Sequence, residues 1–481
     1  MRQMKEIGTV IESSNYSIHN SICELLKKFK FKTLCHQSGI QKENGFSTVE
    51  ILTLLIMLPL MMLKNVHQLY QSAYSDKATM EKDAFYRLKN NEHYSWRRLL
   101  YAVAKKFKNL TNQEKPEEIQ AKGKPSAFII DDTTDQRVGY KMENISYVFD
   151  HTIHKAVLGF KLLTLAYFDG KSLTPLDFSL HTEKKLKPKK LKKQYKKQVN
   201  PKSCGAKRRK ETKDTKIKAS LDMIKRAVKN GFIADYVLCD AWFTSEELIK
   251  TIRGIKNGAM HIIAGIKNGN QKYGYQGDLF NAKEIIAQLK KTGSQRRCRK
   301  WNTRYLEATV TYKGVGTLKL FMSRFPRQKE WRVFVSTNTS LSYVEMMEIY
   351  GIRWTIEVFF RECKQYLQLG KCQSQDFDAQ IASITVVFIL YTLLAYLKRM
   401  DSYETLGELF RLTQQDVCEK NMAERLFSLF EEILAVVIDS IASNGSMDIT
   451  QFRQSEEYAF IKDIFASSFL LQQIHSVDKA V

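Results

Sequence analysis

Residues 127–134 read AFIIDDTT, in which four apolar residues run directly into a pair of carboxylates. A second stretch, residues 236–240, reads YVLCD and also ends an apolar run with an acid, Asp240. Short apolar runs of this kind predict buried strands. A carboxylate that directly follows a buried strand lies at the rim of its sheet, where it can meet a second one. For Asp240 alone, capping the helix that begins near Ser245 is an equally good interpretation.

A third acid belongs to the polar stripe of a predicted helix. At about 100° per residue, four polar side chains of residues 350–364 fall within roughly a 60° arc of one helix face. They are Tyr350, Arg353, Glu357 and Lys364. Trp354, Ile356, Phe359 and Phe360 on the same segment indicate that much of the helix is buried. A buried acid needs an ionic partner or a metal.

Together these motifs resemble those of the DDE transposases of insertion sequence family four. The resemblance rests on the Asp-Thr-Thr of residues 132–134, on Asp240 after a basic stretch and a helix, and on the spacing Tyr-(2)-Arg-(3)-Glu-(6)-Lys. The last motif is specific because four chemically different residues have to coincide. The similarity covers residues 128–369, including a β-rich insertion between the second Asp and the Glu.

This resemblance implies an α/β fold: an RNase H-like mixed sheet flanked by helices and interrupted by a β-rich insertion, with a helical N-terminal domain and a helical C-terminal region. The expected segments are a helical DNA-binding domain (1–120), the first part of the catalytic core (121–247, with a basic insertion at 184–218), the β-rich insertion (248–331), the second part of the core with the Glu357 helix (332–400), and a helical C-terminal region (401–481) that is a candidate dimerisation segment.

The first acid has two candidates, Asp131 and Asp132, and a fully buried strand gives no alternation that would choose between them. The Thr-Thr that follows matches the family only if Asp132 is the ligand. The resemblance therefore implies Asp132, Asp240 and Glu357 as the catalytic, metal-binding acids, with Asp131 on the other face of the strand. The remaining candidates of this region receive no chemical role: Asp150, His151, His154 and Asp177.

The resemblance also implies a two-metal mechanism. Two Mg²⁺ ions, for which Mn²⁺ can substitute, would be held by carboxylate oxygens, with Asp132 bridging both ions and Asp240 and Glu357 completing one site each. Tyr350, Arg353 and Lys364 would then contact the DNA end. Trp331 would stack on a flipped base, and core packing is the alternative for this side chain.

Charge indicates the partner. Lys and Arg number 76 against 51 Asp and Glu, a formal net charge of +25 that favours a polyanion such as nucleic acid. Residues 184–218 alone hold 17 basic residues and two acids. Such a density predicts a mobile insertion that can order on a phosphate backbone. Its candidate DNA contacts are Lys207, Arg208, Arg209 and Lys210.

Other features do not indicate secretion and favour buried core helices over membrane spans. The eight Cys form no Cys-x-x-Cys pair, which indicates free thiols in a reducing compartment. The apolar runs at 51–63 and 381–397 predict buried core helices, because the first is short and the second carries polar residues. Residues 1–14 lack the features of a signal peptide. We expect a cytoplasmic protein that is associated with the nucleoid when it binds DNA.

The expected function is that of a transposase, which binds terminal inverted repeats and catalyses metal-dependent DNA cleavage and strand transfer. Its expected partners are the double-stranded DNA of the transposon ends and of the target, and a second copy of the chain in a synaptic homodimer. Two alternatives remain open: a non-transposing RNase H-like DNA nuclease, and a catalytically inactive DNA-binding protein.

Overall fold

Twelve strands of the described part of the chain form one mixed sheet. The computed structural model describes residues 19–42, 44–72, 80–115, 123–183, 193–267, 269–400 and 403–412, with a few single positions outside these ranges. The strands are β1 (Ala127–Gln136), β2 (Ser146–Asp150), β3 (Lys155–Phe168), β4 (Leu173–His181), β5 (Tyr236–Cys239), β6 (His261–Ile266), β7 (Lys272–Tyr275), β8 (Asp278–Asn281), β9 (Arg296–Cys298), β10 (Thr303–Tyr312), β11 (Gly316–Arg324) and β12 (Arg332–Ser336).

Helices precede the sheet, connect its strands and follow it. They are α1 (His19–Lys28), α2 (Phe31–Gln37), α3 (Thr48–Met57), α4 (Val66–Gln71), α5 (Lys82–Lys89), α6 (Trp96–Glu114), α7 (Cys204–Glu211), α8 (Lys216–Lys229), α9 (Glu246–Gly254), α10 (Ala282–Lys291), α11 (Tyr343–Gly351), α12 (Trp354–Gln365) and α13 (Phe377–Met400). The expected α/β class, a mixed sheet flanked by helices, is confirmed.

The sheet runs in the order β2-β3-β1-β5-β6-β12-β11-β10-β7-β8, with β4 beside β3 and β9 beside β10. Strands β1, β5 and β6 are parallel neighbours, and the other pairs are antiparallel. Strand β6 lies within the segment expected to be the insertion, yet its parallel pairing with β5 makes it part of the core sheet. Strands β7–β11 extend the same sheet outward from β12.

Local sequence explains most of these elements. The expected strand at 236–239 coincides with β5. A turn at Asp169 and Gly170 joins β3 to β4, and Gly170 has φ +101°. A Cβ at this glycine would lie 2.7 Å from the carbonyl oxygen of Lys124, so glycine is required there. Strand β2 was not predicted, because burial along it does not follow polarity: Ser146 is buried, whereas Phe149 is 38% exposed.

The long apolar helix α13 belongs to the core. It is long and apolar enough to cross a membrane by length and composition, but 89% of its most apolar window is buried inside the described molecule. The expectation of a buried core helix is thereby confirmed. Residues Glu24–Arg411 form one compact unit, in which α6 packs against α13 and β4. The second unit, Met1–Cys23 with Leu412–Val481, lies almost wholly outside the described residues, and so does most of the expected C-terminal region 401–481.

The helix predicted over residues 350–364 is two helices. Tyr350 lies in the last turn of α11, and Arg353 is the N-cap residue of α12. The backbone of Ile352 and Arg353 keeps right-handed helical dihedral angles, so the change of helix leaves the four signature side chains on one side of the segment. The prediction of one continuous helix is therefore wrong, although the stripe that it described is retained.

Candidate active site

Asp131 and Asp240 lie side by side where the parallel pairing of β1 with β5 ends, Asp131 within β1 and Asp240 just after β5. The paired register of β1 and β5 ends at Ile130 opposite Cys239, and these two acids are the next residue on each strand. Side chains at equivalent positions of neighbouring strands point to the same face of a sheet. The negative charge of Asp240 contributes to the raised pKa of Asp131, as expected for two carboxylates that are close together.

Asp240 does not cap the following helix. Ser245 is the N-cap residue of α9, and its side chain accepts a hydrogen bond from the N–H of Leu248. Asp240 instead accepts a 2.8 Å hydrogen bond from the N–H of Trp242, which fixes the turn after β5. The capping interpretation of Asp240 is therefore wrong, and one of its carboxylate oxygens remains at the strand end.

Arg353 brings Glu357 to this edge. Its Nη1 donates to Asp131 Oδ2 over 2.9 Å, and its Nη2 donates to Glu357 Oε1 over 2.6 Å. The guanidinium therefore joins α12 to β1 and lies between two carboxylates. All three side chains are at least half-buried, so this ion pairing is stronger than at an open surface.

Burial dominates the acid–base behaviour of Asp131. It raises the pKa of this carboxyl to about 7, while the charge of Arg353 opposes the shift and that of Asp240 adds to it. A carboxyl that is costly to ionise without a neighbouring cation is suited to a site where a cation binds. The donor set, carboxylate oxygens alone, also fits Mg²⁺ or Mn²⁺.

The guanidinium of Arg353 lies between Asp131 and Glu357, two of the acids that would hold such an ion. Among the residues that the structure describes, no three metal-ligating groups of His, Cys, Asp or Glu converge on one point. A divalent cation held by both Asp131 and Glu357 would share these carboxylates with the guanidinium, which contacts one oxygen of each.

Asp132, the predicted first acid, lies on the opposite face of β1. Its Oδ1 is 2.9 Å from the Nζ of Lys216, and its Oδ2 is 3.9 Å from the Nζ of Lys161. Successive side chains of a strand alternate between faces, so Asp131 and Asp132 have different neighbours. The structure brings together Asp131, Asp240 and Glu357, and it gives Asp132 two lysine partners instead.

The other signature residues surround the same edge. Lys364 donates to Thr133 Oγ1 over 2.7 Å and to the carbonyl oxygen of Thr134 over 3.0 Å. The Tyr350 ring packs against Phe334, with 4.8 Å between ring centroids, and burial raises the pKa of the Tyr350 hydroxyl to about 12. Arg353 and Lys364 therefore place two cations along residues 131–134.

The side chain of Trp331 is not accessible to DNA. Its side chain is buried, with only 8% of the residue exposed, and it packs in the apolar core near the cations of Lys290 and Arg324. This environment corresponds to the core-packing alternative. An exposed tryptophan near the acids is Trp242, which the sequence motifs did not single out; an aromatic residue in the polar turn after Asp240 was the available signal.

The basic segment is only partly exposed. Its residues 184–190 and 192 lie outside the described residues, whereas 193–218 fold onto the core. Arg208 stacks on the ring of Phe178, 4.4 Å from its centroid, and Arg209 forms ion pairs with Glu143 and Asp378. The expectation of mobility is therefore wrong for this part, and these two arginines serve the fold. The other two candidate DNA contacts, Lys207 and Lys210, are exposed.

Comparison with known proteins agrees with this geometry. No protein of curated function matches the chain. A family model described as a transposase DDE domain matches residues 122–393, which is more than half of the chain and includes β1, β5 and α12. The chain belongs to the transposase DDE domain family.

Proposed function

We propose that this chain is the transposase of an insertion sequence, which binds terminal inverted repeats and catalyses metal-dependent DNA cleavage and strand transfer. The family is one of transposases that cleave DNA, and the net charge of +25 suits a polyanionic substrate. The observation that carries the proposal is the side-by-side placement of Asp131 and Asp240, with Glu357 joined to Asp131 through Arg353. The proposal includes a cytoplasmic, nucleoid-associated location and a synaptic homodimer.

We assign metal binding to Asp131, Asp240 and Glu357, with Asp131 in the place that the sequence motif gave to Asp132. Members of the family use divalent metal ions. When bound, two such ions polarise the scissile phosphodiester and lower the pKa of the attacking water or 3′-hydroxyl. The opposite orientation of Asp132, and its contacts with Lys216 and Lys161, support this assignment.

The chain's own cations have a separate task in this proposal. Arg353 and Lys364 lie beside the acids and can hold the phosphates on either side of the cleavage point. Arg353 is paired with Asp131 and Glu357 in this structure, and its guanidinium would turn to a phosphate where metal neutralises these acids. Tyr350, packed beneath Arg353, would support its orientation.

The adjacent aspartates provide a matched pair for the test. We expect Asp131→Asn, Asp240→Asn and Glu357→Gln to abolish metal-dependent cleavage of DNA that carries the element's ends, while end binding is retained. Asp132→Asn should keep measurable cleavage, with a loss of about 10- to 100-fold at most, the usual cost of a residue outside the ligand set. Gel assays of cleavage and of end binding would be run in parallel. A greater loss of cleavage in Asp132→Asn than in Asp131→Asn would show that Asp132, and not Asp131, is the metal ligand.

Joining of a pre-cleaved end separates the proposal from its alternatives. A transposase transfers a 3′-hydroxyl end into target DNA in the presence of Mg²⁺, and chelation of the metal stops the reaction. Cleavage without joining would identify a non-transposing nuclease. End binding with neither activity, at saturating Mg²⁺ or Mn²⁺, would identify a catalytically inactive DNA-binding protein.

A further inference from the structure

Three exposed rings are successive neighbours, and one of them, Trp242, follows Asp240 by two residues. Trp242 is 52% exposed, and its backbone N–H donates a hydrogen bond to the side chain of Asp240. The ring of His151 lies 6.1 Å from that of Trp242, and the ring of Phe149 lies 4.9 Å from that of His151. His151 is exposed, and Phe149 is 38% exposed. We call Phe149, His151 and Trp242 the aromatic stripe.

Two lysines accompany the stripe. Lys267 is exposed, and its Nζ lies 3.9 Å from the centroid of the Trp242 ring. The Nζ of Lys216 lies 5.3 Å from the same centroid and is held there by its ion pair with Asp132. The surface therefore offers π-faces with ammonium groups beside them, and Asp132 positions one of these groups.

We propose that the aromatic stripe, with Lys216 and Lys267, binds an unpaired segment of a DNA strand next to the cleavage site. Base faces stack on exposed rings, while neighbouring cations pair with the phosphates between them. A fully paired duplex hides its base faces, so the stripe distinguishes a separated strand from a duplex. The inference rests on the proposed function, because Asp240 is taken there as part of the cleavage site.

The position of the stripe indicates which DNA would reach it. Trp242 follows Asp240 by two residues, and Phe149 and His151 belong to the end of β2 and the turn after it. Trp242 is thus the ring nearest along the chain to one of the assigned acids, while Lys216 lies on the face of β1 that carries Asp132. The lysines favour this occupant over an apolar protein surface, which would bury the ammonium group of Lys267 against apolar atoms.

Fluorescence anisotropy of the full-length protein with a labelled oligothymidylate tests the proposal. Trp242→Ala should weaken single-strand binding by about tenfold or more, the effect of losing one stacked base. Trp242→Phe, which keeps a ring, should stay within about threefold of wild type. The control is Trp301→Ala, another partly exposed tryptophan that precedes β10; it should bind as wild type does. Affinity for a blunt duplex of equal length should be unchanged in all variants.

Wild-type affinity of Trp242→Ala for the single strand, or an equal loss of duplex affinity, would overturn the proposal. Photocrosslinking to an oligonucleotide that contains 5-iododeoxyuridine gives a second measurement, which needs no variant. The adduct is expected on Trp242, His151 or Phe149, and adducts only at other sites would count against the stripe. Metal-dependent cleavage by the wild type is scored separately, so that failure of the stripe and failure of the proposed function give different results.

Discussion

Arg353 neutralises the negative charge of two partly buried carboxylates, those of Asp131 and Glu357. Its guanidinium lies 2.9 Å from Asp131 and 2.6 Å from Glu357, and its charge opposes the burial that raises the pKa of Asp131. In the proposed function, a divalent cation would be held by these same two acids and carries more charge than the guanidinium. Arg353 and metal would then compete for the acids, and either could stabilise the folded protein.

This competition can be measured without activity. We expect Arg353→Gln to lower the thermal unfolding midpoint of the metal-free protein, because Asp131 and Glu357 lose their shared cation. Saturating Mg²⁺ should then raise the midpoint of the variant by more than it raises that of wild type, since binding to the folded state stabilises it. Lys250→Gln, which breaks the exposed pair with Glu246, is the control and should show neither effect. Equal Mg²⁺ shifts in Arg353→Gln and wild type would contradict the competition.

The sequence indicated the acids that follow two apolar runs and the acid of the helix, but it could not choose between Asp131 and Asp132. A strand that is buried on both faces shows no alternation, so its orientation follows from pairing with distant strands. Here β5, more than 100 residues later in the chain, fixes the face of Asp131 through its register with β1. The helix break between Tyr350 and Trp354 was equally hidden, because Ile352 and Arg353 keep helical dihedral angles.

At the scale of elements, the short helix α7 shows why charge density alone misleads. Arg208 and Arg209 lie in a run of basic residues, yet their partners Glu143 and Asp378 lie 66 and 169 residues away from Arg209, and Arg208 packs on Phe178. Local composition cannot reveal such long-range pairs. The exposed face of α7 keeps the other two cations of the run, Lys207 and Lys210.

The two faces of α7 should therefore respond differently to substitution. We expect Lys207→Gln with Lys210→Gln to reduce the salt dependence of duplex binding, by about 0.9 in log–log slope for each phosphate that the variant no longer neutralises. The unfolding midpoint should not change. Affinity for end DNA across a salt series, for wild type and the double variant, measures the slope. Parallel lines would show that this face does not bind DNA.

Arg209→Gln is the matched variant on the buried face. It should lower the unfolding midpoint, because Glu143 and Asp378 lose a bidentate partner in a half-buried network. Its effect on the salt slope at a temperature well below unfolding should be small.

At the scale of the whole molecule, one buried acid joins the N-terminal helices to the sheet. Asp177 on β4 accepts hydrogen bonds from the Nε atoms of Arg97 on α6 and Arg226 on α8, each over 2.8 Å. Arg97 also donates two hydrogen bonds to Glu211 on α7. Burial opposes ionisation of Asp177, but the three nearby arginines outweigh it and lower its pKa.

We expect Asp177→Asn to destabilise the protein by about 3–5 kcal/mol near neutral pH, because it leaves buried guanidinium groups without their counter-charge. A lowered pKa means that the ionised form stabilises the folded state above the ordinary pKa of Asp, and that this stabilisation is lost as the pH falls through the folded-state value. The difference in unfolding free energy between Asp177→Asn and wild type should therefore become smaller at acidic pH. Urea midpoints at several pH values measure it, and a difference that does not depend on pH would contradict the ionic explanation.

Asp214→Asn is the control, since it breaks a more exposed pair with Lys218. Its cost should be less than about 1 kcal/mol.

The continuous sheet has a geometric consequence for the DNA. Strands β5, β6, β12, β11 and β10 are joined by unbroken hydrogen-bonded pairing, so the outer strands cannot swing independently of the edge that carries Asp240. Four strand spacings of about 4.8 Å each separate β5 from β10 by about 19 Å. That length corresponds to the rise of about five to six base pairs of duplex DNA. If a duplex were bound at β10, the sheet would hold the distance from that contact to the acids constant. The same phosphate would then reach the acids in every cleavage reaction.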